Sequence, residues 1–335
     1  MLKSILVPVD GSAESARAVP FALALARRDG ASVELLHVFE RGIYESGTPV
    51  LDRRFDAERR TAFREKLEEE AARLTKESGV KVAATFAEGT VLSTVREAIA
   101  THVPDLVAMT THGRGGLARV WFGSVADRLV REVPGSFLLL RPDQQPGAGA
   151  APFFQRVLVP LDGSDTSEEI LAHTEALGPA GSVAHVLVTI VEPPAADMLF
   201  LDFSPAVELA NGQRELDEAL RLRVERATNY LDMLAERLRA RGDVATTHVA
   251  VSGNAARAIL GIVESEGVDT IALTTHGQGG IARTVLGSVA DKLVRASPVP
   301  VLLYRPPQKV AAAPAKERAT EAAPRAVGRV PAASR

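Results

Sequence analysis

Two acidic turns and two glycine-rich segments hold the residues whose types and spacing suit a phosphorylated ligand. The turns read Pro8-Val9-Asp10-Gly11-Ser12 and Pro160-Leu161-Asp162-Gly163-Ser164. A carboxylate in such a turn can accept hydrogen bonds from a pair of ribose hydroxyls, or it can shape the turn and cap the helix that follows. The glycine-rich segments read Thr110-Thr111-His112-Gly113-Arg114-Gly115-Gly116 and Thr274-Thr275-His276-Gly277-Gln278-Gly279-Gly280. Three glycines in four positions let the backbone aim its N–H groups at an anion without a side chain in the way. After nine intervening residues comes Gly123-Ser124-Val125 in one case and Gly287-Ser288-Val289 in the other, each opening a helical pattern. Ser124 and Ser288 are expected as N-caps, with the first-turn amides and the positive dipole end close by. A helix N-terminus facing a glycine loop is a ready phosphate site.

These pairs belong to a duplicated chain. Ile5 to Ser12 returns as Val157 to Ser164, and Thr110–Val133 returns as Thr274–Ser297 with 16 of 24 positions identical. In the first copy, strands are expected near 3–9, 32–39, 80–87, 105–110 and 136–141, with helices near 13–28, 56–77, 91–102 and 124–132. The helix over 56–77 is mostly charged, with Leu67, Ala71 and Leu74 as its one apolar stripe. The second copy has expected strands near 156–161, 183–191, 244–251, 269–274 and 299–304. Its long helix, near 213–240, carries Leu216, Leu220, Val224, Ala227 and Leu231. Strands alternating with helices imply a parallel sheet with right-handed crossovers. Ligands of such sheets bind beyond the carboxyl ends of the strands.

Composition fits this reading and narrows the function. Aromatic residues are 4% of the 335, so aliphatic side chains must fill both cores, as in parallel strands covered on both faces. A net charge of −3 with mixed signs gives no footprint for sequence-independent nucleic-acid binding. The absence of cysteine excludes disulfides, thiolate metal sites and cysteine nucleophiles. No apolar run approaches the roughly 20 residues of a membrane span, and the opening residues run into a strand-like segment; a cytoplasmic protein is expected. The expected domains are 1–142 and 155–306, joined by a Pro/Gly/Ala-rich linker over 143–154. The Ala/Pro-rich remainder, 307–335, is expected to be disordered. The histidines outside the glycine loops lack metal-ligand spacing, and no catalytic residue is assigned.

The spacing Thr110-x-x-Gly113-x9-Gly123-Ser124, repeated as Thr274-x-x-Gly277-x9-Gly287-Ser288, resembles the ATP motif of the universal stress protein family, with threonine at the motif's first glycine. The flanking Thr-His-Gly-Arg-Gly-Gly-Leu and Gly-Ser-Val-Ala-Asp also resemble that family. The resemblance covers about 1–142 and 155–306 and is to the two-domain members. It implies two open-sheet, five-stranded parallel α/β domains of the Rossmann-like, adenine nucleotide α-hydrolase-like kind. By the same resemblance Asp10 and Asp162 would hold ribose, and backbone at Val38 and Ile190 would meet adenine. Gly113, Gly123 and Ser124 would cradle phosphates, as would Gly277, Gly287 and Ser288; Thr110 and Thr274 would lie against the sugar, and Val125 and Val289 in the helices' first turns. Arg114 offers a charge where Gln278 does not, so the first site is expected to bind more tightly.

The resemblance also implies a pseudo-symmetric pair of domains packed through Phe137–Leu140 and Val301–Tyr304, with further pairing of chains into homodimers left open. The expected cofactor is ATP, accompanied by Mg²⁺ because few side-chain cations are at hand to neutralise a triphosphate. The leading expectation is a stress-response or regulatory protein whose nucleotide changes conformation or the binding of a protein partner. Two alternatives stand beside it: a slow ATPase or self-phosphorylating enzyme, and a nucleotide-free interaction module.

Overall fold

The structure, a computed structural model, describes residues 1–40, 49–111, 123–144, 154–175, 177, 181–194, 207–276 and 286–307; over 49–56 and 207–213 it describes the helical backbone alone. The first copy runs β1 (Ser4–Pro8), α1 (Ala13–Ala16), α2 (Ala18–Asp29), β2 (Ser32–Phe39), α3 (Pro49–Ser78), β3 (Val82–Glu88), α4 (Val91–His102), β4 (Leu106–Thr110), α5 (Ser124–Glu132) and β5 (Gly135–Leu140). The second runs β6 (Arg156–Pro160), α6 (Asp165–Glu175), β7 (Ala184–Val191), α7 (Val207–Ala240), β8 (Val244–Val251), α8 (Ala255–Ser265), β9 (Thr270–Thr274), α9 (Ser288–Ala296) and β10 (Val301–Arg305).

Each copy forms five parallel strands, and the two sets join into one sheet of order β3-β2-β1-β4-β5-β10-β9-β6-β7-β8. The chain builds outward from β1 to β2 and β3 on one side, then crosses to β4 and β5 on the other. Strand order therefore reverses between β1 and β4, and again between β6 and β9, which is where open parallel sheets leave a crevice. The copies meet where β5 and β10 pair antiparallel, with Phe137 opposite Leu303 and Ser136 opposite Tyr304.

Alternation along each strand sends side chains to two cores. Ile5 and Val7 enter the core under α2, α3, α6 and α7, whereas Leu6 enters the core under α4, α5, α8 and α9. Both cores contain residues of both copies, so apolar packing is continuous across the joint. Polar contacts add to it: Gln144 Nε2 donates to the Ser297 carbonyl, and Ser136 Oγ lies 3.1 Å from His173 Nδ1. Arg131 reaches Asp127 on its own helix at 2.8 Å and Asp291 of the other copy at 3.3 Å.

Two local features depart from the sequence expectation. The single helix expected over 13–28 is two, α1 and α2, divided at Arg17. Pro20 has no N–H to give the carbonyl of Ala16, so the helix restarts with the proline in its first turn, where the missing donor costs nothing. In α7 the buried stripe is Ala227, Leu231, Leu234, Ala235 and Leu238, while Leu216, Leu220 and Val224 are only half-buried. The 34-residue helix is about 51 Å long at 1.5 Å per residue, about twice the ~26 Å of its eight-residue neighbour strands, so its first half overshoots the sheet.

Candidate functional site

The turn after each first strand is built by its serine as much as by its aspartate. Asp10 Oδ1 accepts from Ser12 N–H at 2.9 Å and from Ser12 Oγ at 2.5 Å. Ser12 is the N-cap of α1 and its hydroxyl accepts from Ser15 N–H. The second copy repeats the pattern, with Asp162 Oδ1 accepting from Ser164 N–H and Oγ, and Ser164 Oγ accepting from Ser167 N–H. The capping groups are thus Ser12 and Ser164, and each aspartate orients its serine. Behind Asp162, burial pushes the Tyr230 phenol well above its usual range, with the charges of Glu168 and Asp162 adding to the shift.

At the ends of β4 and β9, Thr110 and Thr274 are buried. Thr274 Oγ1 donates to the His276 carbonyl at 2.7 Å, and Thr275 Oγ1 lies 2.9 Å from His276 Nδ1. The Thr274 hydroxyl is therefore engaged with the backbone of its own loop.

Past that loop, the helix starts one residue differently from the sequence expectation. Gly123 and Gly287, rather than Ser124 and Ser288, occupy the N-cap positions, and neither helix has a side-chain cap. The reason is close packing against the strand end. Gly287 N–H donates to the Thr275 carbonyl at 2.9 Å, and a Cβ at Gly287 would stand 3.1 Å from that same oxygen. Gly123 N–H makes the same bond to the Thr111 carbonyl at 2.5 Å. Each serine then enters as the first helical residue, and the first-turn amides have no intrahelical partner. Such a terminus attracts anions.

In the second copy these parts surround one cleft of about 340 Å³ at the carboxyl ends of β6 and β9. Asp162, Ile190, Thr274, Gly287, Ser288 and Val289, all singled out from sequence, line it together. One wall is apolar, formed with Ala255 and Ile259 of α8, and the other is polar, formed by the strand-end turns and the α9 N-terminus. A largely apolar cleft with a few convergent polar groups is the usual form of a small-molecule site, and its volume lies at the low end of the ~300–1,000 Å³ range.

The α8 wall was not foreseen. Its signal was present, since Gly253-Asn254 begins a helix and Ala255 and Ile259 lie four apart on one face. In the first copy, Asp10, Val38, Thr110, Gly123, Ser124 and Val125 occupy the matching elements, at the ends of β1, β2 and β4 and the start of α5. Gly113, Arg114 and Gly277 lie outside the described residues, as do His112 and Gln278. The expected contrast between Arg114 and Gln278 therefore has no structural counterpart here. Among the described residues, no cluster of three or more His, Asp or Glu could hold a metal, and no helix is long and apolar enough to cross a membrane.

A doubled, five-stranded parallel sheet with a ligand-sized cleft at its strand-order reversal defines a tandem Rossmann-like α/β protein. The model of the universal stress protein family matches residues 1–141 and 153–305, and the chain belongs to that family. A universal stress protein of Mycobacterium tuberculosis is 28% identical over 203 residues, 60% of this chain and 62% of its own length; the chain thus spans under two thirds of the mycobacterial relatives it matches. One of Thermus aquaticus is 32% identical over 152 residues, covering 45% of this chain and 99% of the relative. Among solved structures, a universal stress protein of Archaeoglobus fulgidus superposes with a TM-score of 0.65 at 19% identity, covering 90% of this chain and 98% of the other, a likeness of fold.

Proposed function

We propose that the chain is an adenine-nucleotide-binding regulatory protein of the cytoplasm, with ATP as the ligand and occupancy read out as a change in conformation or partner binding. The observation that carries this reading is the second-copy cleft, where uncapped amides at the start of α9, the Asp162 turn and an apolar wall converge. Each part suits one portion of a nucleotide. The helix N-terminus takes the phosphates, the acidic turn the sugar hydroxyls, and the wall of Ile190, Ala255 and Ile259 a flat heterocycle.

Magnesium fits only as a companion of the phosphates. With no carboxylate cluster among the described residues, the phosphates and water would supply most of its ligands, and Mg²⁺ would neutralise phosphate charge.

The test is direct. Protein purified without added nucleotide is denatured, and the supernatant is assayed by mass spectrometry for adenine nucleotide; emptied protein is then titrated with MgATP by calorimetry. Co-purified nucleotide, or saturable binding, is expected. Neither, together with an unmoved melting temperature in excess MgATP, would favour a nucleotide-free interaction module. Steady release of ADP would favour an ATPase.

A further inference from the structure

The helix whose first residues line the second-copy cleft is held at its far end by the other copy. Ser288 and Val289 of α9 line the cleft, and Ser297, the C-cap residue of α9, presents its carbonyl to the corner that follows β5. Gln144 Nε2 donates to that carbonyl at 3.2 Å, and Arg141 Nη1 donates to it at 3.4 Å. The corner is also closed on itself. Arg141 N–H donates to Gln144 Oε1 at 2.9 Å, and Gln144 N–H donates to the Arg141 carbonyl at 3.1 Å. Gln144 is buried, an uncommon place for a glutamine, and both ends of its amide are used. Between the two ends of α9, Ala290, Leu293 and Val294 enter a core shared by both copies, and Asp291 meets Arg131 of the first copy. The pattern Arg141-Pro142-x-Gln144 recurs after β10 as Arg305-Pro306-x-Gln308, with Gln308 outside the described residues.

We propose that Arg141 and Gln144 of the first copy are positioning residues for the second-copy nucleotide site, and that through α9 the corner they form senses bound phosphate. This rests on the nucleotide reading above. With nine residues, α9 is about 13 Å long and moves as one rod. Donors on the Ser297 carbonyl hold that rod where its first-turn amides face the cleft. An anion on those amides polarises the helix's hydrogen bonds in the sense of its dipole, so the carbonyl at the other end becomes a stronger acceptor. The dependence is reciprocal: phosphate tightens the corner by the same factor by which the corner tightens phosphate. A ligand without phosphates leaves the helix unpolarised and does not engage the corner.

The experiment is hydrogen exchange with mass spectrometry on the full chain, reading the peptide that spans Arg141–Gln144. Saturating MgATP should slow exchange in that peptide roughly fivefold, and saturating adenosine should not. Ala255→Trp, which fills the second-copy cleft from its α8 wall, should abolish the slowing. In calorimetry, Gln144→Met and Arg141→Met should each weaken MgATP roughly fivefold at the site that Ala255→Trp removes, with adenosine affinity unchanged. Arg141→Lys keeps a charged donor and should stay near the parent, with melting curves showing that each variant folds. Unchanged exchange with MgATP bound, slowing that survives Ala255→Trp, or equal losses for MgATP and adenosine overturns the inference while leaving nucleotide binding intact. Failure of the parent chain to bind MgATP at all is a different result, which withdraws the nucleotide reading and the inference with it.

Discussion

The helices α4 and α8 end in the same backbone shape made by two different residues. In the second copy Gly267 follows α8 with φ +58°, a left-handed conformation that glycine adopts without penalty. In the first copy Val103 stands in the matching place, after α4, with φ +44° and ψ +59°. It is exposed, so packing does not offset the strain of a β-branched residue there. A second pair differs in the same direction. His37 in β2 bonds the Val9 carbonyl through Nδ1 and stacks on Phe63 at 5.0 Å between ring centroids, whereas Thr189 in β7 makes the equivalent bond to the Leu161 carbonyl with a small hydroxyl. The lesson is that duplication kept backbone geometry and hydrogen-bond endpoints while the side chains serving them drifted. In both pairs the first copy carries the larger side chain, and at Val103 it carries the backbone strain as well.

The copies can be set against each other by experiment. The largest effect belongs to their joint. Phe137→Ala empties a fully buried position opposite Leu303 and should cost about 3–5 kcal/mol in chemical denaturation, with both copies affected because both cores cross the joint. A loss confined to first-copy probes would show that the copies fold independently.

Gly267→Val should then cost roughly 1–2 kcal/mol, since a Cβ there meets nothing within 4 Å and the penalty is that of the backbone alone. Its reciprocal, Val103→Gly, should stabilise, by up to about 1 kcal/mol once the greater freedom of the unfolded chain is deducted. If both substitutions destabilise, the left-handed reading of residue 103 is wrong.

Acid should soften the second copy next. Burial lowers the pKa of His173 and of His185 below the usual histidine value. A base with a depressed folded pKa adds stability above its unfolded pKa, here 6.5, and that stability is lost as pH falls through the folded value. The melting temperature should therefore drop between pH 7.5 and 5.5, and His185→Gln with His173→Gln should flatten the drop. An unchanged slope in that double variant would locate the acid response elsewhere.

The smallest effect is expected at the charge ladder of Asp127, Arg131, Asp291 and Arg295, whose members are partly exposed. Arg131→Met should cost no more than about 1 kcal/mol. A larger loss would mean that the cross-copy contact to Asp291 steadies the joint itself.

Strand positions were legible because period-two burial and continuous apolar runs leave little choice, as β4 and β9 illustrate with every residue buried. The site's polar half was legible because glycine, aspartate and serine at fixed spacing each have a backbone reason to be there. Its apolar half was not, since Ala255 and Ile259 resemble any helix's inner face until the sheet brings them opposite Ile190. The serine cap of Ser12, the glycine caps of α5 and α9 and the break at Arg17 were hidden for another reason. Each depends on one hydrogen bond or one missing donor, and a periodic pattern carries no record of either.

The antiparallel joint between β5 and β10 has a consequence for anything outside the molecule. Because all strands of one copy run opposite to all strands of the other, the crevices at their carboxyl ends open toward opposite rims of the ten-stranded sheet. Both sit on the same broad face, yet a body docked over one mouth is turned away from the other.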